Sequence, residues 1–346
     1  METEIGTISL RELSRSVLQH IQKNNITGIG YDTVNLTSVN KKCSDIFTAA
    51  GCAESEEITD LQYNEKENWF STGELALLRA SNNLCMSRSQ PFAVQILINA
   101  AASVSEQVIR QEMNCLTEIC KKKTIQIIGG NTFKNGKGSG YSVNIILYGC
   151  MKKNGSKSEN KEDFRYKNGA VVLIGSAGEF GMEYLVRRNY RKCKERFSES
   201  FLRQCIKEKS EYDISAKSVI DDLPENAWLH DGTFGGVYRL IYEISEKTGM
   251  GIRIHHEKIP ITQETIEISE FFKINPYEMN ACGMYALVFK SAYEAEKCLK
   301  SAEKMKITAS IAGELTQEKT KIIDSVSGEW ERYITPYEKD SVFMVK

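Results

Sequence analysis

Hydrophobic positions along the chain follow two different spacings, which predict helices in some segments and strands in others. An early helix is predicted by five apolar residues at helical spacing: Leu10, Leu13, Val17, Leu18 and Ile21. Ser9 and Glu12 fit a capping box at its start. The segment 105–123 predicts a second amphipathic helix, whose closing lysines suit the negative end of the helix dipole. Short apolar runs, such as 170–175 and 284–290, predict strands.

In the second half of the chain, predicted strands alternate with predicted helices, which indicates an α/β or α+β fold. One helix is expected to begin near Thr262, and another to end at Gly249, a residue type that suits the position after a helix. Residues 190–222 also read as helical. The segment from Lys152 to Gly169 is polar and charged, so it is the best candidate for a linker. Two domains and a tail are therefore expected: 1–155, 165–335 and 336–346.

The stretch Ile125–Phe133 reads as a strand that stops at Gly129 and Gly130 and leads into Asn131 and Thr132. Glycine lets the backbone approach a ligand closely, so such a strand end is a natural place for a phosphate or a metal ion. A metal site of that kind usually contains a carboxylate, whereas this chain has a carboxamide. Three further junctions mix glycines with polar residues in the same way: 28–32, 175–181 and 230–236.

Composition limits the classes of function. Charged residues make up 26% of the 346 residues and the net charge is −1, so no general field attracts nucleic acid. No apolar run approaches the roughly 20 residues of a membrane span, and the first residues lack the features of a signal peptide. Ten cysteines occur without a C-x-x-C pair, which argues against a zinc site or a disulfide framework. We therefore expect a cytoplasmic protein that binds neither nucleic acid nor membranes.

The order of the glycine junctions resembles the AIR synthase-related superfamily, which includes AIR synthase, thiamine-monophosphate kinase, selenophosphate synthetase and HypE. The strongest match is His230–Ile261, which resembles the D-x-T-x-G-G helix of that family and the strand and turn after it. Residues 275–289 look like a continuation of the same domain. In the N-terminal half, "GIGYD", "ASNNL" and "IIGGNT" look like the family's glycine-aspartate opening, its N-D helix motif and its G-G-D-T. The pattern is closest to HypE-like members.

The resemblance implies a two-domain α/β (α+β) architecture. The N-terminal domain would pair across a two-fold axis into a dimeric β-barrel, and the C-terminal domain would pack helices on a mixed sheet. Nucleotide would bind in the groove between the domains, and magnesium would hold its phosphates. Members of this family commonly use ATP to phosphorylate an oxygen, often that of an amide or a carbonyl group.

Residue by residue, the resemblance implies two magnesium ligands, Asp32 and Asp60, and two catalytic residues, Asp32 and Asp231. The nucleotide would be bound at ten positions: Asn83, Gly129, Gly130, Asn131, Thr132, Gly178, Gly181, Thr233, Gly235 and Gly236. Asn83 and Asn131 stand where the family has aspartates. Each change removes a negative charge from a site for a cation that prefers charged oxygen ligands. The magnesium site is therefore expected to be weakened or lost.

Two hypotheses about function follow. The first is an ATP-dependent phosphoryl-transfer enzyme with a reduced magnesium site, acting on an amide, carbonyl or phosphate oxygen of an unidentified small molecule. The second is a catalytically degenerate nucleotide- or partner-binding protein, with a maturation or regulatory role, that keeps the fold and the homodimer. The thiol chemistry of HypE, which uses a C-terminal cysteine, is not expected, because no cysteine follows Cys298.

Ordinary structural roles remain open for the same residues. Asp32 could cap or turn the chain, Asp60 could be an exposed loop acid, and Asn131 could be a turn residue. Asp231 could instead cap the helix that begins near Gly235, since aspartate is a good N-cap.

Overall fold

The structure, a computed structural model, describes most of the chain in nine segments. They are residues 34–35, 46–59, 61–63, 69–135, 138–151, 168–217, 219–223, 227–335 and 339–345. The predicted first helix, Asp32 and Asp60 lie outside these residues. Within the described segments, the chain forms two β-sheets, one from each half.

The N-terminal sheet has five strands in the order β1-β2-β5-β3-β4. The strands are β1 (Val34–Asn35), β2 (Ile46–Glu54), β3 (Ser89–Ala101), β4 (Gln126–Asn135) and β5 (Tyr141–Met151). The accompanying helices are α1 (Glu56–Thr59), α2 (Thr72–Cys85) and α3 (Glu106–Lys122). Strands β3 and β4 are parallel, and the other neighbours are antiparallel. Helix α2 lies directly against β2 at Gly51, where a Cβ would be 2.3 Å from the carbonyl oxygen of Ala76.

The first turn of α2 is fixed by a capping box and by a carboxylate from α3. Ser71 Oγ accepts from the N–H of Glu74 at 3.2 Å, and the Glu74 carboxylate accepts from the N–H of Ser71 at 2.8 Å. The buried carboxylate of Glu112 accepts from the N–H of Gly73 and from the hydroxyl of Tyr141, each at 2.7 Å. These bonds tie α2, α3 and β5 together.

The C-terminal sheet has seven strands in the order β12-β11-β8-β10-β6-β9-β7. They are β6 (Ala170–Ile174), β7 (Trp228–Asp231), β8 (Gly251–His255), β9 (Tyr285–Phe289), β10 (Ala309–Thr316), β11 (Lys321–Asp324) and β12 (Glu331–Tyr333). The helices are α4 (Glu179–Arg188), α5 (Tyr190–Lys194), α6 (Glu199–Gln204), α7 (Gly236–Thr248), α8 (Gln263–Phe272) and α9 (Ala292–Lys304). Only β8 and β11 pair in parallel within these described strands, so the sheet is mixed. Strands β6 and β9 are buried throughout, which explains their continuous apolar runs.

The prediction of a turn at the glycine pair after Ile128 is wrong. Strand β4 continues through Gly129 and Gly130 to its end at Asn135. The pairing with β3 shifts register here, so that Ile128 is an extra residue in β4. A Cβ at Gly130 would lie 1.8 Å from the carbonyl oxygen of Ile96. The glycines therefore serve a bulge and a close approach of two strands.

The helical prediction for residues 190–222 holds only in part. Helices α5 and α6 are followed by three 3-10 turns: Lys209–Tyr212, Ile214–Lys217 and Val219–Asp222. The apolar pattern also does not predict strands β2, β7, β11 and β12. The last three have four residues or fewer, too few to show a period, and β2 is rich in alanine and glycine, which are poor strand formers.

The buried side chain of Asn82 joins α2 to the C-terminal half. Its Nδ2 donates to the carbonyl oxygen of Tyr212 at 2.9 Å, and its Oδ1 accepts from the N–H of Ile214 at 3.0 Å. Both backbone groups belong to the 3-10 turns, where a buried polar group needs a partner from elsewhere. The contact uses one donor and one acceptor of the amide, so an ionised aspartate could not replace it.

The nine described cysteines are free thiols, and six of them are buried. The buried thiols pack as small apolar side chains within the hydrophobic cores. Across the described segments, no helix has both the length and the apolar character required to span a membrane.

Asn82→Ala should lower the free energy of unfolding by about 3 kcal/mol, because it leaves two buried backbone groups without partners. Urea-induced unfolding, followed by circular dichroism at neutral pH, measures the loss. Asn83→Ala is the matched control, since that partly exposed neighbour makes one hydrogen bond, to the carbonyl oxygen of Ala50, and under about 1 kcal/mol is expected for it. Equal losses in the two variants would contradict the role of Asn82.

Candidate functional site

A cleft of about 870 Å³ lies between the open face of the N-terminal sheet and the C-terminal half. Strands β2, β3, β4 and β5, with helix α2, form its N-terminal wall, and the end of β7 with helix α7 forms its C-terminal wall. A cavity of this volume is in the range of small-molecule and cofactor sites.

One row of side chains crosses four strands of the N-terminal wall. Asn144 pairs with Cys52 on one side and with Leu97 on the other, and Leu97 in turn pairs with Asn131. Directly paired residues of neighbouring strands point to the same face of a sheet, so the whole row faces the cleft. Asn99, two residues along β3 from Leu97, lines it as well. The sheet therefore offers neutral carboxamides separated by an apolar residue.

Helix α2 adds two side chains at the edge of β2. Arg79 Nη1 donates to the carbonyl oxygen of Cys52 at 2.6 Å, and Asn83 Nδ2 donates to that of Ala50 at 3.0 Å. Four residues of helix rise about 6 Å and two residues of strand about 7 Å, so side chains one turn apart reach alternate carbonyl groups. The amide of Asn83 is thus engaged by the backbone. A carboxylate at this position would be repelled by the same carbonyl oxygen.

Arg79 also connects the two walls. Its guanidinium forms two hydrogen bonds with the carboxylate of Glu57, at 3.1 and 2.6 Å, and both side chains are only 9% exposed. Two parallel bonds of this kind compensate in part for the loss of water around the charges. The guanidinium carbon lies 4.6 Å from the ring centre of Phe234, in the turn before α7. A cation–π contact therefore spans the end of the cleft.

The C-terminal wall is one face of α7, where Arg239, Glu243 and Lys247 follow each other at four-residue intervals. The Glu243 carboxylate accepts from Arg239 Nε at 2.8 Å and lies 2.8 Å from His230 Nε2, which is 3.3 Å from Lys247 Nζ. Burial would raise the pKa of Glu243, but the hydrogen bond with His230 and the charges of Lys247, His230 and Arg239 outweigh burial and lower the pKa to about 2. Glu243 is therefore ionised at neutral pH and holds His230 and Arg239.

Four residues predicted from the sequence line this one cleft: Asn83, Asn131, Asp231 and Thr233. Thr132 follows Asn131 on β4 and therefore points to the other face of the strand. The alternative role of Asp231 as a helix cap is wrong, because Asp231 ends β7 and the N-cap of α7 is Gly235.

The six predicted glycines fall into three pairs: Gly129 and Gly130, Gly235 and Gly236, and Gly178 and Gly181. The first pair lies inside β4, beside the lining residue Asn131. The second pair has positive φ angles of 81° and 71° and forms the turn into α7. The third pair belongs to the start of α4, where Gly178 is the N-cap and Gly181 lies in the first turn. A Cβ on either residue would meet the buried Met279, and the pair lies outside the lining of the cleft.

Residues 168–325 match the family described as AIR synthase related protein, C-terminal domain. The "Putative hydrogenase expression/formation protein MJ0676" of Methanocaldococcus jannaschii is 24% identical over 260 residues, or 74% of each chain. A chain of the HypE–HypF complex has a TM-score of 0.68 at 19% identity, with 94% of this chain and 99% of that chain covered. HypE in complex with ATP has a TM-score of 0.63 at 15% identity, with 96% and 95% covered.

Residues 168–325 form an AIR synthase-related C-terminal domain. The fold of the chain is HypE-like, which confirms the α/β (α+β) fold class expected from the sequence.

Several cleft residues lie outside the family motifs that the sequence displays. Asn99 and Asn144 belong to predicted strands, and their position on the polar face could be found only from the register between β3 and β5. Glu243 and Lys247 share a helix face with Arg239, a spacing that is visible in the sequence. Their contact with His230 depends on how β7 packs against α7, which no local pattern reveals.

The described lining of the cleft offers a magnesium ion few charged oxygens. Among the described residues, no group of three His, Cys, Asp or Glu side chains could hold a metal ion. The carboxylate of Glu243 is engaged by Arg239 and His230. Asp231, the hydroxyl of Thr233 and the carboxamide oxygens are the other side-chain oxygens of the described lining, and they fit a weak divalent site better than a strong one.

Glu243→Gln should lower the free energy of unfolding at pH 7 by about 3 kcal/mol, because Arg239 would keep its charge in a buried site without its carboxylate. Since the pKa of Glu243 in the folded state lies below the ordinary value, its stabilising contribution is present above about pH 4.5 and is lost as the pH falls towards about 2. Urea unfolding from pH 7 to pH 3 measures both effects.

Glu246→Gln is the matched control for this substitution. Glu246 lies on the same helix and pairs with Lys321 at 2.7 Å, but its side chain is 47% exposed. A change below about 1 kcal/mol is expected there. If Glu243→Gln were as stable as the wild type at pH 7, the assigned network would be wrong.

Proposed function

We propose that this AIR synthase-related protein binds ATP in the cleft and transfers its phosphoryl group to an amide, carbonyl or phosphate oxygen of a small molecule. The observation that carries the proposal is the convergence of four motif residues on one cleft: Asn83, Asn131, Asp231 and Thr233. A HypE structure with the same fold contains ATP, which supports a nucleotide as the ligand. Positioning and charge neutralisation would provide most of the catalysis.

In this proposal, magnesium has a reduced role. Asp32 and Asp60, which lie outside the described residues, would provide the charged ligands, and Asp231 would complete the catalytic site. The carboxamides of Asn83 and Asn131 contribute no charge. Without those negative charges, the ATP phosphates are repelled less and the cation is attracted less. ATP binding with a weak dependence on magnesium is therefore the expected behaviour.

A second candidate is a nucleotide- or partner-binding protein that has lost turnover and acts in maturation or regulation. The hydrogen bond from Asn83 to the carbonyl oxygen of Ala50 favours it, because this motif residue is used to hold β2 rather than to bind a cation. The two candidates share ATP binding and differ in turnover. ATP hydrolysis therefore separates them.

Isothermal titration calorimetry with ATP, in the presence of EDTA or of magnesium chloride, tests the shared step. We expect binding under both conditions, with less than about a tenfold gain in affinity from magnesium, which corresponds to about 1.4 kcal/mol. Release of inorganic phosphate is measured in parallel. Binding with turnover supports the enzyme, and binding without turnover supports the second candidate. An absence of binding under both conditions contradicts both.

The double variant Asn83→Asp with Asn131→Asp tests the assignment of these positions. Two restored carboxylates should increase the gain in ATP affinity from magnesium, at a stability cost of about 1 kcal/mol for the lost bond to Ala50. Asn114→Asp adds the same charge on the exposed side of α3 and should change nothing. A magnesium dependence equal to that of the wild type would place both residues outside the metal site.

The same proposal includes a homodimer in the cytoplasm, formed through the N-terminal sheet. Strand β4 is an edge strand, and nearly all of its residues are exposed or half-exposed. Two large apolar side chains on β3 and β4, both outside the lining of the cleft, reach solvent: Phe92 is 44% exposed and Ile128 is 50% exposed. Burial of such a face against a second copy would remove both the open edge and the apolar surface from water.

Light scattering coupled to size-exclusion chromatography should report the mass of two chains. Ile128→Lys should shift the protein towards the mass of one chain, because it places a charge in the proposed interface. Ile128 does not line the cleft, so the substitution leaves the ligand site intact. Tyr293→Lys, at a side chain that is 65% exposed on α9, is the control and should leave the mass unchanged. A monomeric wild type at micromolar concentration would refute the dimer.

A further inference from the structure

The segment Asp340–Val345 packs against the outer side of the C-terminal wall, and we call it the clasp. Its core is a 3-10 turn, Ser341–Met344. Asp340 Oδ1 accepts from the N–H of Val342 at 3.0 Å and so caps this turn. Both residues are buried, with exposures of 5% and 2%.

The clasp provides the cap that helix α7 lacks. The N-cap residue of α7 is Gly235, which has no side chain to accept from the first turn. Asp340, 105 residues away in sequence, accepts from the N–H of Gly235 through Oδ2 at 2.9 Å. A carboxylate is favoured at a helix N-terminus by the free N–H groups and by the helix dipole. The capped helix is the one that carries Arg239 and Glu243 into the cleft.

An aromatic contact links the clasp to the cleft itself. The ring of Phe343 stacks on that of Phe234, with ring centres 5.9 Å apart and planes 28° apart. Arg79 also contacts Phe234, at 4.6 Å from the ring centre, and Phe234 lines the cleft. The small hollow beside it is lined by Asp340, Phe343 and Glu57, the partner of Arg79. The ring of Phe234 therefore contacts the clasp on one side and lines the cleft on the other.

We propose that the clasp is a conformational device that orders one end of the cleft, with Asp340 and Phe343 as positioning residues for Phe234 and the first turn of α7. When the clasp is closed, α7 is capped and Phe234 is held between Phe343 and Arg79. When it opens, both supports are lost. A ligand that requires the closed shape must in turn stabilise the closed clasp. This last step rests on the proposed ATP binding, whereas the ordering of α7 does not.

Hydrogen exchange with mass spectrometry, on the full chain without ligand, tests the ordering. Asp340→Ala and Phe343→Ala should each lower the protection of a peptide covering residues 232–243 by about 5- to 30-fold, the range expected for the loss of a helix cap. Peptides from α9 should be unaffected. Phe343→Tyr keeps the aromatic ring, so its protection of residues 232–243 should equal that of the wild type, unlike that of Phe343→Ala. Met344→Ala is the control, because Met344 belongs to the same turn but is 56% exposed.

Calorimetry with ATP tests the linkage to the ligand. Asp340→Ala and Phe343→Ala should weaken ATP binding by about the same 5- to 30-fold factor, and Met344→Ala should remain within about twofold of the wild type, since it keeps the contacts of the clasp.

The possible results separate the two proposals. Unchanged protection of residues 232–243 in both alanine variants overturns the clasp, whatever the ATP affinities are. An equal loss in every peptide also overturns it, because the substitutions would then act on general stability. Local loss of protection with unchanged ATP affinity overturns the linkage. If the wild type binds no ATP, the proposed function fails, and hydrogen exchange alone decides the role of the clasp.

Discussion

The buried ion pair between Arg79 and Glu57 is the interaction on which the shape of the cleft depends. Both charges are largely removed from water, so loss of either partner would leave the other unpaired, at a cost of about 3–5 kcal/mol. The same guanidinium binds the edge carbonyl of Cys52 and contacts Phe234. A single rigid, planar group thus fixes α1, the edge of β2 and the turn before α7. The distance between the walls of the cleft follows from that arrangement.

The two carboxamides of helix α2, Asn82 and Asn83, have structural roles that explain why neither is an aspartate. Asn82 needs a donor and an acceptor to satisfy Tyr212 and Ile214, and Asn83 needs a donor for the carbonyl oxygen of Ala50. An ionised aspartate lacks the donor that both residues use. Asn131 differs, because it faces the cleft from the open side of the sheet, where a charged side chain could be accommodated. The two departures from the family pattern therefore have separate physical origins.

Sequence patterns predict the parts of the fold that local spacing determines. Helices α3, α7 and α9 each bury one face, and β6 and β9 are continuous apolar runs. The family motifs also predict that Asn83, Asn131 and Asp231 share a site, and the structure places all three in one cleft. Local patterns do not predict that β4 continues through Gly129, because the bulge there depends on pairing with β3. The cap on α7 was missed because Asp340 lies 105 residues beyond Gly235.

The two walls of the cleft differ in charge, and this difference constrains how a ligand can lie. Apart from Arg79 and Cys52, every ionisable side chain of the described lining belongs to the C-terminal wall. Arg239 and Lys247 place positive charge on that wall, whereas the sheet offers neutral carboxamides. Recognition of both ends of one ligand requires the walls to keep their relative position. Arg79 and the clasp both contact the ring of Phe234 and so hold the two walls in that position. Substitutions of Arg79 or of the clasp residues should therefore change ligand affinity more than they change the structure of the N-terminal sheet.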